Sequence, residues 1–294
     1  MTPNNNLSCL PFYKSLAEQN ARKWWMYGRI YPLFAPAKFL LPFQILGNFA
    51  STPQIDTLEL WTKDGEFAGF ISAIMEHNEV YNFDDLYAIV YNGKHLISRD
   101  IPNGQYYIRM EVIWENGEDY DSQFYYSEVF TVVNDIEPYL KIEWWDVEDL
   151  VFDAGRIVYR NGNKPYHQIL YLDSDIAKPE YMFDEEGETR DGYFFPVKQI
   201  SEKHYRFRFF ASEYLLDIMR FIRMADYAQI TYKGQVYKLD TFLITPEWED
   251  NGDVATVEAE FDTDTVVKKI GRAYQVPDGG GFNDDFNDDY GIGE

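Results

Sequence analysis

The chain has 294 residues and a mass of 34.7 kDa, with 26 Lys and Arg against 50 Asp and Glu, a formal net charge of −24 at pH 7. That balance argues against holding nucleic acid or an anionic lipid surface by charge attraction. Aromatic residues reach 18% of the chain, including 24 Tyr and 22 Phe, which excludes a disordered acidic polymer.

The first fifty residues read as a cationic, aromatic arm. Lys14, Arg22, Lys23, Arg29 and Lys38 face a single acid, Glu18. A short helix is predicted over roughly Ser15 to Trp25, and the segment Tyr31 to Ile45, interrupted by Pro32, Pro36 and Pro42, is predicted to be extended, because each proline disfavours the α region for the residue before it. The prolines and Lys38 also break the longest apolar stretch well short of the ~18 residues of a membrane span. Residues 1–10 carry no basic residue and no apolar run with a cleavage site, so no secretory signal is expected. The lone cysteine, Cys9, has no partner for an internal disulfide, and nothing near it in sequence would lower its pKa enough to make a nucleophile. An extended apolar arm either packs on its own domain or docks on a neighbouring subunit.

Residues 51–135, with 4 basic and 16 acidic residues, read as all-β. Leu58 to Trp61 precedes a Lys63-Asp64-Gly65 turn, and Tyr87 to Tyr91 precedes Asn92-Gly93, a strong hairpin signal. Tyr106, Ile108, Met110, Val112 and Trp114 alternate with Tyr107, Arg109, Glu111 and Ile113, so one face of this strand requires a second sheet to cover it. An acidic loop and a strand from Ser127 to Val133 should follow. The pattern is that of an immunoglobulin or fibronectin type III sandwich.

Residues 136–275 should form a second, β-rich α+β sandwich domain with one packed helix. Strands are predicted near Arg156–Tyr159, His167–Leu172, Tyr193–Lys198, Tyr205–Phe210, Tyr227–Tyr232, Val236–Ile244 and Val254–Phe261. The helix, near 212–224, takes Ser212 as N-cap, Glu213 in its first turn, Arg220 and Arg223 in its last, and Leu215, Ile218, Met219 and Ile222 as an apolar stripe. Residues 276–294, with six acids and no base, read as a solvated acidic tail rich in Gly, Asp and Asn.

None of the candidate chemistries outweighs a structural reading. Asn283, Asp285 and Asn287 place oxygens on alternate residues, but Asp288 stands where a calcium loop needs Gly. The acidic stretch from Asp173 to Asp191 reads as an exposed loop, which does not fix the carboxylate separation that glycoside hydrolysis requires. His77, His95, His167 and His204 lack ligand spacing, and neither a nucleophile elbow nor a phosphate-cradling glycine loop occurs. The expectation is therefore no catalytic residue, no metal and no cofactor, and a protein that is not an enzyme. Trp24-Trp25 and Trp144-Trp145 serve either core packing or a recognition platform; adjacent residues in a strand point to opposite faces.

Leu41-Pro-Phe-Gln-Ile45, Gly104-Gln-Tyr-Tyr-Ile-Arg109, Leu170 to Ile176, Asp191-Gly-Tyr-Phe-Phe-Pro-Val-Lys to Lys203, Ile244-Thr-Pro-Glu-Trp248 and Glu260 to Ile270 together resemble virion structural proteins of tailed phages and prophages of Bacteroidetes, including crAss-like phages. The resemblance covers most of the chain and carries no catalytic residue. It implies a tail or head-to-tail connector component, localised to the virion after assembly in the bacterial cytoplasm. Its partners would be further copies in a homo-oligomeric ring and other virion proteins, with neither a membrane nor sequence-specific nucleic-acid binding. An anionic lumen would let DNA slide through without sticking. A cationic arm on an anionic body suits head-to-tail contacts that close into rings. Trp24, Trp25, Tyr31, Phe34, Phe39 and Phe43 are the expected interface residues. The alternative is a carbohydrate- or receptor-binding β-sandwich protein.

Overall fold

Alternation along a strand decides which face is buried, and it sets the first layer of the fold. The computed structural model describes residues 8–21, 33–71, 78–83, 86–93, 100–147, 166–248 and 254–269. The alternating stretch forms β8 (Gly104–Asn116), the central strand of a seven-stranded sheet. Ile108, Met110 and Val112 are fully buried on its inner face. On one side β8 pairs antiparallel with β4 (Gln54–Thr62), which pairs in turn with β5 (Phe67–Phe70). On the other it pairs first with β9 (Asp119–Ser127) and then with β10 (Phe130–Val133). The expected acidic loop is thus the outer half of a hairpin: Gly117, at φ 73°, makes the turn, and Asp119 and Asp121 sit in the ladder with side chains in solvent.

The arm supplies strands to this unit. β1 (Phe12–Tyr13) pairs antiparallel with β9, and β2 (Phe34–Pro36) pairs parallel with β10. β3 (Phe43–Gly47) joins β7 (Leu86–Tyr91), which also pairs with β6 (Asn78–Phe83), in a separate three-stranded sheet. The order β3-β7-β6 against β5-β4-β8-β9/β10, with the chain crossing at β3 to β4, β5 to β6 and β7 to β8, is that of an immunoglobulin-like β-sandwich. The layers meet through rings: Phe43, whose ring lies 5.3 Å from its cross-strand partner Tyr91, reaches Phe12 of the other sheet at 4.8 Å, and Phe49 lies 4.9 Å from Trp114. Between Ser15 and Trp25, the described part of the predicted helix is α1 (Leu16–Ala21).

Beyond the sandwich, β11 (Leu140–Trp145), β12 (Gln168–Leu172), β15 (Tyr227–Tyr232) and β16 (Gln235–Lys238) form an antiparallel sheet ordered β12-β11-β15-β16. A fourth sheet is ordered β13 (Glu180–Arg190), β14 (Tyr193–Ser212), β18 (Val254–Lys269), β17 (Thr241–Trp248). The predicted helix is α2 (Glu213–Met219), with Ser212 at its N-cap. It stops earlier than expected: Arg220 is the C-cap, and Arg223 belongs to a 3-10 turn over Ile222–Met224. Leu215, Ile218, Met219 and Ile222 are all buried, as their spacing requires.

The fold is mainly β, but its compact units do not follow the predicted boundaries at 50 and 135. One core runs from Leu10 through Phe43, Ile108 and Leu170 to Phe261. It belongs to a unit of Met1–Glu180 with His204–Thr263, and a second unit takes Tyr181–Lys203 with Asp264–Glu294. The arm and both expected β domains thus share one hydrophobic core, because apolar side chains from all three segments fill it. The acidic stretch at 180–190, expected as loop, is strand β13. It turns into β14 through Asp191 and Gly192, whose φ of 51° and 84° is the left-handed pair that a two-residue hairpin demands. Arg156–Tyr159 and the tail 276–294 lie outside the described residues.

Candidate interaction surfaces

Of the expected interface residues, Trp24, Trp25 and Tyr31 lie outside the described residues. Phe43 is 0% exposed, its ring spent on the chain's own core, so it offers no surface to a neighbour. Its place on β3, facing Phe12 and Tyr91, is the reason. Phe34 is half-buried on β2 with its ring 4.7 Å from Tyr139, and Phe39 is half-buried between β2 and β3. The described parts of the arm pack mostly on its own unit.

On the sheet of β11, Trp144 points into the core at 3% exposure while Trp145, one residue on, takes the opposite face. Trp145 stacks on His167 at 4.4 Å and on Tyr227 at 5.4 Å, both nearly parallel. Glu143, on the same face as Trp145, is buried and holds three donors: His167 Nδ1 at 2.7 Å, Lys141 Nζ at 2.9 Å and Gln229 Nε2 at 3.1 Å. Burial alone would raise its carboxyl pKa, but the hydrogen bonds and charges of His167 and Lys141 outweigh it and hold the group at about 2. At the strand end, the Asp226 backbone N–H donates to Asp146 Oδ1 at 3.0 Å, and the Val147 N–H donates to Asp226 Oδ2 at 3.0 Å. Burial, reinforced by the Asp226 carboxylate, raises the Asp146 pKa. Tyr227 remains half exposed beside this pair, at 52%.

A second cluster lies across the outer face of the seven-stranded sheet. Arg109 pairs with Glu59 at 3.0 Å and lies 4.2 Å over the Phe124 ring, while Trp61 Nε1 donates to Glu59 at 2.8 Å. At its edge Phe67 and Phe70 meet edge to face, their centroids 5.0 Å apart, with Phe70 69% exposed.

The third surface, which sequence reasoning did not single out, is the β13–β14 hairpin of the second unit. Tyr181, Phe183 and Tyr193 are 75%, 64% and 66% exposed, and Met182, Phe194 and Val197 are also exposed. By strand alternation Tyr181 and Phe183 share one face while Met182 takes the other, and Tyr193 and Val197 oppose Phe194, so both faces carry apolar groups. Gly187 lets the strands close up: a Cβ there would sit 2.3 Å from the Phe195 carbonyl oxygen and 2.7 Å from the Phe194 ring. Acids interleave the aromatics, with Glu186 paired to Lys198 at 3.2 Å and Glu185 accepting from Gln199 at 2.5 Å. The signal legible in the sequence was Tyr193-Phe194-Phe195 directly after an Asp-Gly turn, with Tyr181 and Phe183 before it.

Among the described residues no group of three or more His, Cys, Asp or Glu is placed to hold a metal ion, and no helix is long and apolar enough to cross a membrane. Compared with protein-family models, with curated proteins and with solved structures, the chain matches none.

Proposed function

We propose that this chain is a non-enzymatic structural component of a tailed-phage virion, in the tail or the head-to-tail connector, and that it works through contacts between subunits. The observation that carries the reading is the exposed aromatic hairpin. Large apolar groups left in water on both faces of a hairpin are characteristic of a protein interface. The resemblance of the quoted strings to virion proteins supports the same reading, and a net charge of −24 suits a wall along which DNA slides. The experiment is mass spectrometry of purified particles of a phage encoding the chain, alongside negative-stain microscopy of the purified protein. The expected result is the chain at many copies per particle and a discrete ring in isolation. Particles that lack it overturn the reading.

A second reading, a carbohydrate- or receptor-binding protein, is favoured by the Trp145, His167 and Tyr227 stack beside Asp146 and Asp226, since an aromatic face next to carboxylates is chemistry that sugars use. A glycan array probed with the full chain and with Tyr227→Ala tests it. Binding that the substitution abolishes supports this reading, and no binding removes it.

A further inference from the structure

An edge strand presents backbone N–H and C=O groups that have no ladder partner, and proteins blunt such edges by keeping them short or placing proline in them. Most edges of this fold are treated in that way. β1, β2, β3, β5, β6, β12 and β16 are six residues long or shorter, and β17 carries Pro246, which has no N–H to donate. β13 is different: among the described residues it pairs only with β14, and it runs for 11 residues without a proline or a lysine. Every residue from 180 to 189 is exposed. By alternation its side chains sort into two faces. Tyr181, Phe183 and Glu185 share one, with the two rings 75% and 64% exposed, and Glu180, Met182, Asp184, Glu186 and Glu188 share the other. A strand laid along this edge would meet rings on one face and a row of carboxylates on the other.

We propose that the free edge of β13 takes an extended segment of a partner protein in which basic and apolar residues alternate, and adds it to the sheet as a further strand. Main-chain hydrogen bonds to the open edge hold such a segment, and alternate side chains select it. Charge fixes which side chains fit: Lys or Arg belongs on the face of Asp184, Glu186 and Glu188, and apolar or aromatic residues belong on the face of Tyr181 and Phe183. The same charges argue against the other occupants. Pairing β13 with its own copy, centred on 184–188, sets carboxylates against carboxylates, and like charges opposite one another destabilise a ladder. The shorter edges of a second copy, and its β17, hold one basic residue between them, Lys238. Nucleic acid and anionic membranes carry the wrong sign.

That the partner is another virion protein rests on the proposed function; the strand addition itself does not. Its test reads peptide binding alone, whereas the virion reading stands or falls on the content of particles.

The test is fluorescence anisotropy of a labelled peptide of about ten residues, alternating Lys with Val and Tyr, titrated with the full chain at moderate salt. Three further peptides separate the contributions: one of the same composition with its lysines in a single block, one with Glu in place of Lys, and one N-methylated on alternate residues so that the donors of one edge are lost. The alternating peptide should bind saturably, and each of the other three should bind at least about tenfold more weakly. Asp184→Lys with Glu188→Lys, and separately Tyr181→Ser with Phe183→Ser, should each weaken binding of the alternating peptide by a similar factor, with circular dichroism melts confirming the fold. Hydrogen exchange of the wild type with the peptide bound should show added protection within 180–190. Absence of saturable binding overturns the inference. Equal binding of the block peptide or the N-methylated peptide overturns it too, because charge attraction alone would then suffice. Binding without added protection in 180–190, or undiminished in a folded Asp184→Lys, Glu188→Lys variant, overturns the assignment to β13.

Discussion

The backbone N–H of Cys9 donates to Gln168 Oε1 at 3.2 Å, joining residues 159 positions apart. Cys9 lies just before β1 on the sandwich, and Gln168 opens β12 in the next sheet, so one hydrogen bond ties the start of the chain to the second layer of its core. Both residues are buried. The described parts of the arm therefore belong to the folded unit, to whose core they contribute Leu10, Phe12, Leu33, Leu40 and Phe43.

Burial pushes the Cys9 thiol pKa well up, and the thiolate is the reactive form. Ellman's reagent should therefore label the folded protein hardly at all at pH 8. In a urea series, labelling should rise with the loss of tertiary signal. Fast labelling without denaturant would show that the segment before β1 opens independently of the core.

Ser127 holds the junction where β9 gives way to β10. Its hydroxyl accepts the Ile108 N–H at 2.8 Å and donates to the Glu128 carbonyl at 2.9 Å, replacing ladder partners lost at the break. Ser127→Ala leaves the buried Ile108 N–H without this acceptor, and should cost about 1–3 kcal/mol in urea unfolding with an unchanged m-value.

Phe43→Ala should cost about 3–5 kcal/mol, because its ring fills space between Phe12 and Tyr91 in the core. Phe43→Leu should recover part of that loss. If either variant changed oligomeric state at full stability, Phe43 would have a role at an interface that its burial denies.

Glu143 sets an acid limit. Its folded pKa of about 2 lies below the ordinary value of 4.5, so the stability it contributes is fully present above pH 4.5 and is lost as the pH falls towards 2. In Glu143→Gln this part of the acid destabilisation should be absent, read as a flatter melting temperature between pH 5 and pH 2.5. An unchanged slope would remove Glu143 from the acid response.

Much of the sheet architecture was legible where one face of a strand is buried. The β8 alternation, the Tyr227–Tyr232 strand and the buried stripe of α2 all follow from period-two or helical spacing. The hairpin strand β13 was hidden for the converse reason: with Tyr181, Met182 and Phe183 exposed together, it has no alternation to find, and its acids mimic a loop. β9 was obscured in the same way by Asp119, Asp121 and exposed Tyr120. The arm's prolines did mark extended chain at β2 and β3, on either side of a turn at Ala37 and Lys38, but extended chain that lacks alternation gives no sign of its pairing partner. The shared core could not be read locally either, since it is made by contacts such as Cys9 to Gln168 that span most of the sequence. At Trp144 and Trp145 strand geometry did separate a core ring from a surface ring, whereas Phe43 shows that an aromatic in a proline-broken segment can as well be core as interface.

The chain leaves the first unit at Glu180 and re-enters it at His204, with a tight Asp191-Gly192 turn between. Residues removed or added in matched pairs on β13 and β14 would keep every side chain on its present face, changing the hairpin by about 7 Å per pair on each strand. A single-residue change would turn one strand over and bring charges where rings now stand. Hairpin length is therefore a quantity that evolution can adjust in discrete increments without disturbing the core, so the span of exposed aromatic surface can lengthen or shorten while the packing beneath stays fixed.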